Sequence, residues 1–114
     1  MEKDVKDPWY SLIATGVKTI EGRLDKGGFF SNLKVGDKIV FTNDELKFRR
    51  RCNVIVTKIN RYNDFETYLC EEGLHKCLPT VDTIENGIHV YEDIYTNKEE
   101  VKKYMVVAIH MLLS

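Results

Sequence analysis

A chain of 114 residues is long enough for one core but not two, and 43% hydrophobic with 31% charged residues excludes a disordered or fibrous chain. Seventeen Lys and Arg against 18 Asp and Glu leave a formal charge of −1, which excludes a global positive field and makes any nucleic-acid contact local. No stretch reaches the roughly 20 apolar residues of a membrane span, and Met1-Glu2-Lys3-Asp4 lacks the apolar run of a signal peptide, so the expectation is a single intracellular domain over residues 1–114 with no membrane contact.

Asp7-Pro8-Trp9 suits a helix start, since Asp caps free N–H groups and Pro is tolerated in the first turn. Trp9, Leu12, Ile13 and Gly16 recur at helical spacing, which predicts a short helix ending near Thr15. From Thr19 to Leu24 the period changes to two, with Ile20, Gly22 and Leu24 on one strand face and Thr19, Glu21 and Arg23 on the other. After Lys26-Gly27-Gly28, the turn Lys34-Val35-Gly36-Asp37 delivers a strand over Lys38–Thr42 with Ile39 and Phe41 inward.

The β-branched segment between Lys47 and Ile59 predicts a long, largely buried strand, preceded by Arg49-Arg50-Arg51. Asn63 or Asp64 caps a helix carrying Phe65, Tyr68 and Leu69 and closed by Gly73. A further helix starts at Asp82-Thr83-Ile84-Glu85 and carries Ile84, Ile88, Tyr91 and Tyr95 despite the weakening Gly87. Thr96-x-x-Glu99 has the form of a capping box for a short helix to Tyr104. The apolar run from Met105 to Leu113, broken only by His110, predicts a strand covered on both faces and paired with an early strand. This order favours an α+β fold, a mixed sheet with flanking helices.

Cys52, Cys70 and Cys77 are an odd number and read as reduced thiols, while Cys70, His75 and Cys77 lack the paired spacing of a zinc site. No metal and no cofactor are expected. His110 reads as a hydrogen-bonded structural residue. The apolar and aromatic stripe from Ile84 to Tyr95 reads as core rather than as a docking face for another protein.

Trp9, the string Gly16-Val17-Lys18-Thr19-Ile20-Glu21-Gly22-Arg23, and Val35-Gly36-Asp37-Lys38-Ile39-Val40-Phe41 together resemble the opening of an ASCH domain. Ile59-Asn60-Arg61-Tyr62 with Phe65, then Leu78-Pro79 and Ile84-Glu85-Asn86-Gly87 with Tyr91, resemble a microbial branch of the family. The resemblance implies a PUA-like β-barrel with a polar cleft and a role in binding RNA or modified nucleosides, or in hydrolysing them. On residues alone, Glu21 and Arg23 make a strand-face ion pair worth about 0–1 kcal/mol. The resemblance makes Trp9, Lys18, Thr19, Glu21, Arg23 and Tyr62 candidate ligand contacts.

Two functional readings follow. In the first, RNA or a nucleoside binds at Lys18, Glu21 and Arg23, with Arg49 and Arg51 meeting phosphates and Trp9 or Tyr62 stacking a base. In the second, the string is similar to that of small amidohydrolases acting on acetylated cytidine, with Lys18, Glu21 and Glu72 as the candidate catalytic set. Those enzymes carry a Thr three residues after the lysine, where this chain has Glu21, and a lysine base active near neutral pH needs its ordinary value of about 10.4 lowered by roughly three units. A carboxylate at Glu21 opposes that shift, which makes Lys18 the better orienting group.

Overall fold

The apolar run near the end of the chain becomes the centre of the sheet. In the computed structural model, which describes residues 1–114, β5 (Val106–Leu113) lies antiparallel between β4 (Arg50–Tyr62) and β2 (Ile20–Leu24). Val106, Val107, Ala108 and Ile109 are fully buried, as a strand covered on both faces requires. β3 (Lys38–Asn43) pairs antiparallel with β4, and β1 (Glu2–Asp4) adds parallel to β3, so the order is β1-β3-β4-β5-β2. The result is a mixed half-barrel in which β1 and β2 are the two edges.

Period-two alternation divides the sheet between two apolar clusters. Val107, Ile109 and Met111 of β5 join Ile39, Phe41, Val54 and Val56 on the concave side, together with Ile13 and Phe30. Val106 and Ala108 face the other way with Ile20 and Leu24, against Phe65, Tyr68 and Leu69 of α2 (Phe65–Glu72) and Tyr91 of α4 (Ile84–Ile94). Each fully buried Val, Leu or Ile side chain contributes about 1.5–3 kcal/mol, so these two clusters hold the fold.

The helix ends follow their capping residues. Before α1 (Trp9–Ala14), Asp7 Oδ1 accepts from the Ser11 N–H at 2.9 Å and from its hydroxyl at 2.7 Å. Asp64 accepts from the Thr67 N–H at 2.7 Å to start α2, and Gly73, at φ 98°, ends it. Thr83 starts α4. The expected capping box at Thr96 is replaced by Asn97, whose Oδ1 accepts from the Glu99 and Glu100 N–H groups and starts α5 (Lys98–Lys103).

Two elements differ from expectation. β4 is buried only at Val54 and Val56, because its remaining residues alternate outward or run past the core on either side of a bulge between Val56 and Lys58. Gly87 fits its helix through closeness: a Cβ there would lie 2.9 Å from Leu69 Cδ1 and 3.0 Å from Leu74 Cδ1, so its absence lets α4 settle onto α2 and the short α3 (Leu74–Cys77).

Candidate functional site

A half-barrel leaves a seam where its edge strands approach without pairing, and a cleft of about 130 Å³ opens there. Val5, just past β1, and Trp9 of α1 form one wall. Val90, Tyr91, Ile94 and Tyr95 of α4 and its C-terminal cap form the other, and Lys18, Glu21, Gly22 and Arg23 lie between them. The register explains the charged lining: Glu21 and Arg23 stand opposite Ile109 and Val107 and so share the concave face, at the open edge of β2.

Lys18 is only 3% exposed. Its ammonium donates to the Ile20 carbonyl at 2.7 Å and to the Cys77 carbonyl, stands 3.8 Å from Glu21 Oε1, and lies 5.7 Å from the centre of the Trp9 ring. Burial pushes its pKa below the ordinary lysine range, and the Glu21 carboxylate opposes that push. Two carbonyl acceptors with a carboxylate within ion-pair range suit an ammonium that anchors the strand.

Glu21 is 6% exposed, yet its carboxylate meets only ion pairs longer than hydrogen bonds, with Lys18 at 3.8 Å and with Arg23 Nη2 at 3.6 Å. Two acceptor oxygens thus sit beside the cleft with spare capacity. The Arg23 guanidinium, with its side chain 30% exposed, lies 4.3 Å from the centre of the Phe30 ring, a cation–π contact that holds it at the rim. Gly22 has no alternative residue here: a Cβ would come within 2.4 Å of both Tyr68 Cζ and Tyr68 Oη.

A family model for the ASCH domain matches residues 4–114. The chain belongs to the ASCH-domain family. This PUA-like family is associated with RNA binding. The hypothetical protein PH0355 has a similar crystal structure at 36% identity, with a TM-score of 0.83 over 99% of this chain and 97% of that one. The solution structure of protein PF0455 from Pyrococcus furiosus, also 36% identical, has a TM-score of 0.73 over the same shares. Protein EF3133 from Enterococcus faecalis V583, at 10% identity and a TM-score of 0.61 over 90% of this chain and 67% of that one, shares the fold alone. A comparison with curated proteins finds no match.

Within this ASCH domain the structure brings together Trp9, Lys18, Glu21 and Arg23 at the cleft, which the other candidates do not line. Lys18 is beneath the cleft, not at its mouth, and the Glu21–Arg23 pair is largely enclosed rather than exposed. Thr19 lines a neighbouring cavity of about 110 Å³ with Ile13 and Met111, and Lys18 borders both that cavity and the cleft. Glu72 is on the helix-covered side, where its carboxylate accepts from Asn60 Nδ2 at 2.9 Å and meets His110 Nε2 at 2.9 Å. Burial opposes ionisation of Glu72, but hydrogen bonds from Asn60, His110 and Tyr62 outweigh it and hold the carboxyl below its ordinary range. Tyr62 belongs to this polar cluster and packs 6.2 Å, centre to centre, from Tyr68.

The arginine run divides by alternation. Arg50 turns inward, pairing with Asp7 at 2.7 Å and lying 4.8 Å from the Tyr10 ring centre. Arg49 and Arg51 project outward; Arg49 bonds Asp44 at 3.1 Å, and both stand 3.8 Å from Glu2. Sequence reasoning did not single out Tyr91 and Tyr95 as cleft residues. The two tyrosines fall in the apolar period of α4, which gives no sign that the end of that face borders an opening.

Proposed function

We propose that this ASCH domain binds RNA or a modified nucleoside in the seam cleft. The carrying observation is the Glu21 carboxylate, nearly buried beside the cleft with no hydrogen bond of its own and a cation on either side. Its oxygens are not among the buried polar atoms left without a partner and so remain open to the cleft, where N–H or O–H groups of a base or ribose would meet them. Trp9 and Tyr95 offer aromatic surface beside it, and Arg23 at the rim suits a phosphate or ribose oxygen.

The geometry favours binding over hydrolysis, since the Lys18 ammonium directs donors at protein carbonyls, Thr19 does not line the cleft, and Glu72 lies on the helix-covered side. Arg49 and Arg51 would add phosphate contacts outside the cleft. The test is anisotropy of a labelled single-stranded RNA with wild type, Arg23→Ala and Arg51→Ala. Loss of a charge-assisted contact worth about 1.5 kcal/mol weakens binding about tenfold for Arg23→Ala. Arg51→Ala should weaken it less and flatten the dependence on log salt by about 0.7. Unchanged affinity in both variants refutes the proposal.

A further inference from the structure

We infer that the cleft reads the hydrogen-bonding edge of a single-ring heterocyclic base through the main chain of Gly22, an inference that rests on the nucleoside or RNA reading above. The parity of the β2–β5 ladder carries it. Met111 donates its N–H to the Thr19 carbonyl at 2.9 Å, and Asp25 donates its N–H to the Met105 carbonyl at 2.8 Å. Between these fixed ends the register runs evenly from Ile20↔His110 to Leu24↔Val106. In an antiparallel pair the polar groups of alternate residues point to opposite sides, so those of Glu21 and Arg23 face β5 and those of Ile20, Gly22 and Leu24 face the open edge.

The outer positions on that edge are partly closed by the protein. Lys18 Nζ donates to the Ile20 carbonyl at 2.7 Å, and the Leu24 N–H donates to the Tyr95 hydroxyl at 3.3 Å. Between them, Gly22 lines the cleft, and its N–H and C=O have no protein partner. Two side chains therefore bracket one open donor–acceptor pair. Tyr68 fills the space that a Gly22 side chain would take, which fixes the strand against the aromatic cluster behind it.

A residue on a free strand edge presents a donor and an acceptor side by side, and its complement is a ligand with an acceptor and a donor side by side. Cyclic amides and ring amidines, the pairing edges of nucleobases, have that pattern. The Glu21 carboxylate adds acceptors for further ligand N–H groups. A volume of about 130 Å³ falls below the roughly 300–1,000 Å³ of sites that enclose a whole drug-sized ligand, which suits one ring inside and the sugar and phosphate outside toward Arg23.

The probes are uridine 5′-monophosphate, whose ring N–H adjoins two carbonyls, and its N3-methyl analogue, which lacks that donor. Titrated into ¹⁵N-labelled protein, the first should move the Gly22 amide proton downfield and slow its exchange, while the second should bind at least about tenfold more weakly, since a site built to pair an N–H rejects a ligand without it. Shifts at Arg23 and the Trp9 indole with Gly22 unmoved, or equal binding of the methylated analogue, overturn the edge contact and leave the cleft reading standing. No shift at any cleft residue with uridine 5′-monophosphate, together with no RNA binding, overturns both.

Discussion

Lys18 is nearly buried, held by two carbonyls and paired with a carboxylate, so its replacement by Met leaves both carbonyls without their donor and Glu21 with Arg23 as its remaining cation. Breaking a buried pair by removing one member costs about 3–5 kcal/mol, and urea unfolding of Lys18→Met should show a loss of that size. A loss below about 1 kcal/mol would show that the ammonium is not anchoring β2 to α3. Gly22→Ala meets the ring of fully buried Tyr68 and should cost at least about 1–3 kcal/mol by overpacking. Pairing it with Tyr68→Leu relieves the clash, so the double variant should be more stable than the sum of the single losses; strict additivity would argue against the contact. The charged string was legible in the sequence because Glu21 and Arg23 alternate with apolar or small residues. What was not legible is that Lys18 and Glu21 are buried: Lys18 is enclosed by residues as distant as Cys77, and no local pattern records that contact.

At the scale of elements, local chemistry and tertiary position divide the work. Asp64 caps α2 through the Thr67 N–H, and Asp64→Ala should cost about 1 kcal/mol in chemical denaturation; no change would mean that packing of Phe65 and Tyr68 alone fixes that helix start. That cap, the turn at Gly36 and the apolar periods of α4 and β5 were readable, because each is written in neighbouring residues. β1 was not, since Glu-Lys-Asp has no strand pattern and is placed by main-chain pairing with β3. The short α3 follows Gly73 directly, and its four residues are too few to show a helical period. The cleft is the sum of these two cases: its charged floor comes from a readable strand, while Val5, Tyr91 and Tyr95 reach it only because the edges of the sheet curl toward each other.

For the whole molecule, depressed carboxyls tie stability to pH. Asp7 is lowered to about 2 by hydrogen bonds from Arg50 and Ser11, and through Arg50 it links the start of α1 to β4. Asp25, Glu45, Asp64 and Glu72 are also lowered by their hydrogen bonds. A carboxyl depressed in the folded state adds stability that is complete above its unfolded pKa and lost as pH falls through the folded one. The urea midpoint should therefore hold above about pH 5 and fall toward pH 2, with Asp7→Asn flattening the lower part of that slope. A midpoint as high at pH 3 as at pH 6 would contradict this.

The central claim, that the seam between β1 and β2 is the ligand site, has a built-in reporter. Trp9 is the single tryptophan and lines the cleft. The most direct measurement is its fluorescence during titration with single-stranded RNA and with uridine 5′-monophosphate, in wild type and Glu21→Gln. The account predicts a saturable change in Trp9 emission that follows RNA anisotropy and is weakened about tenfold in Glu21→Gln, the loss of one charge-assisted contact. RNA binding that leaves Trp9 emission unchanged, with equal affinity in Glu21→Gln, would locate the interaction elsewhere on the surface and contradict the account.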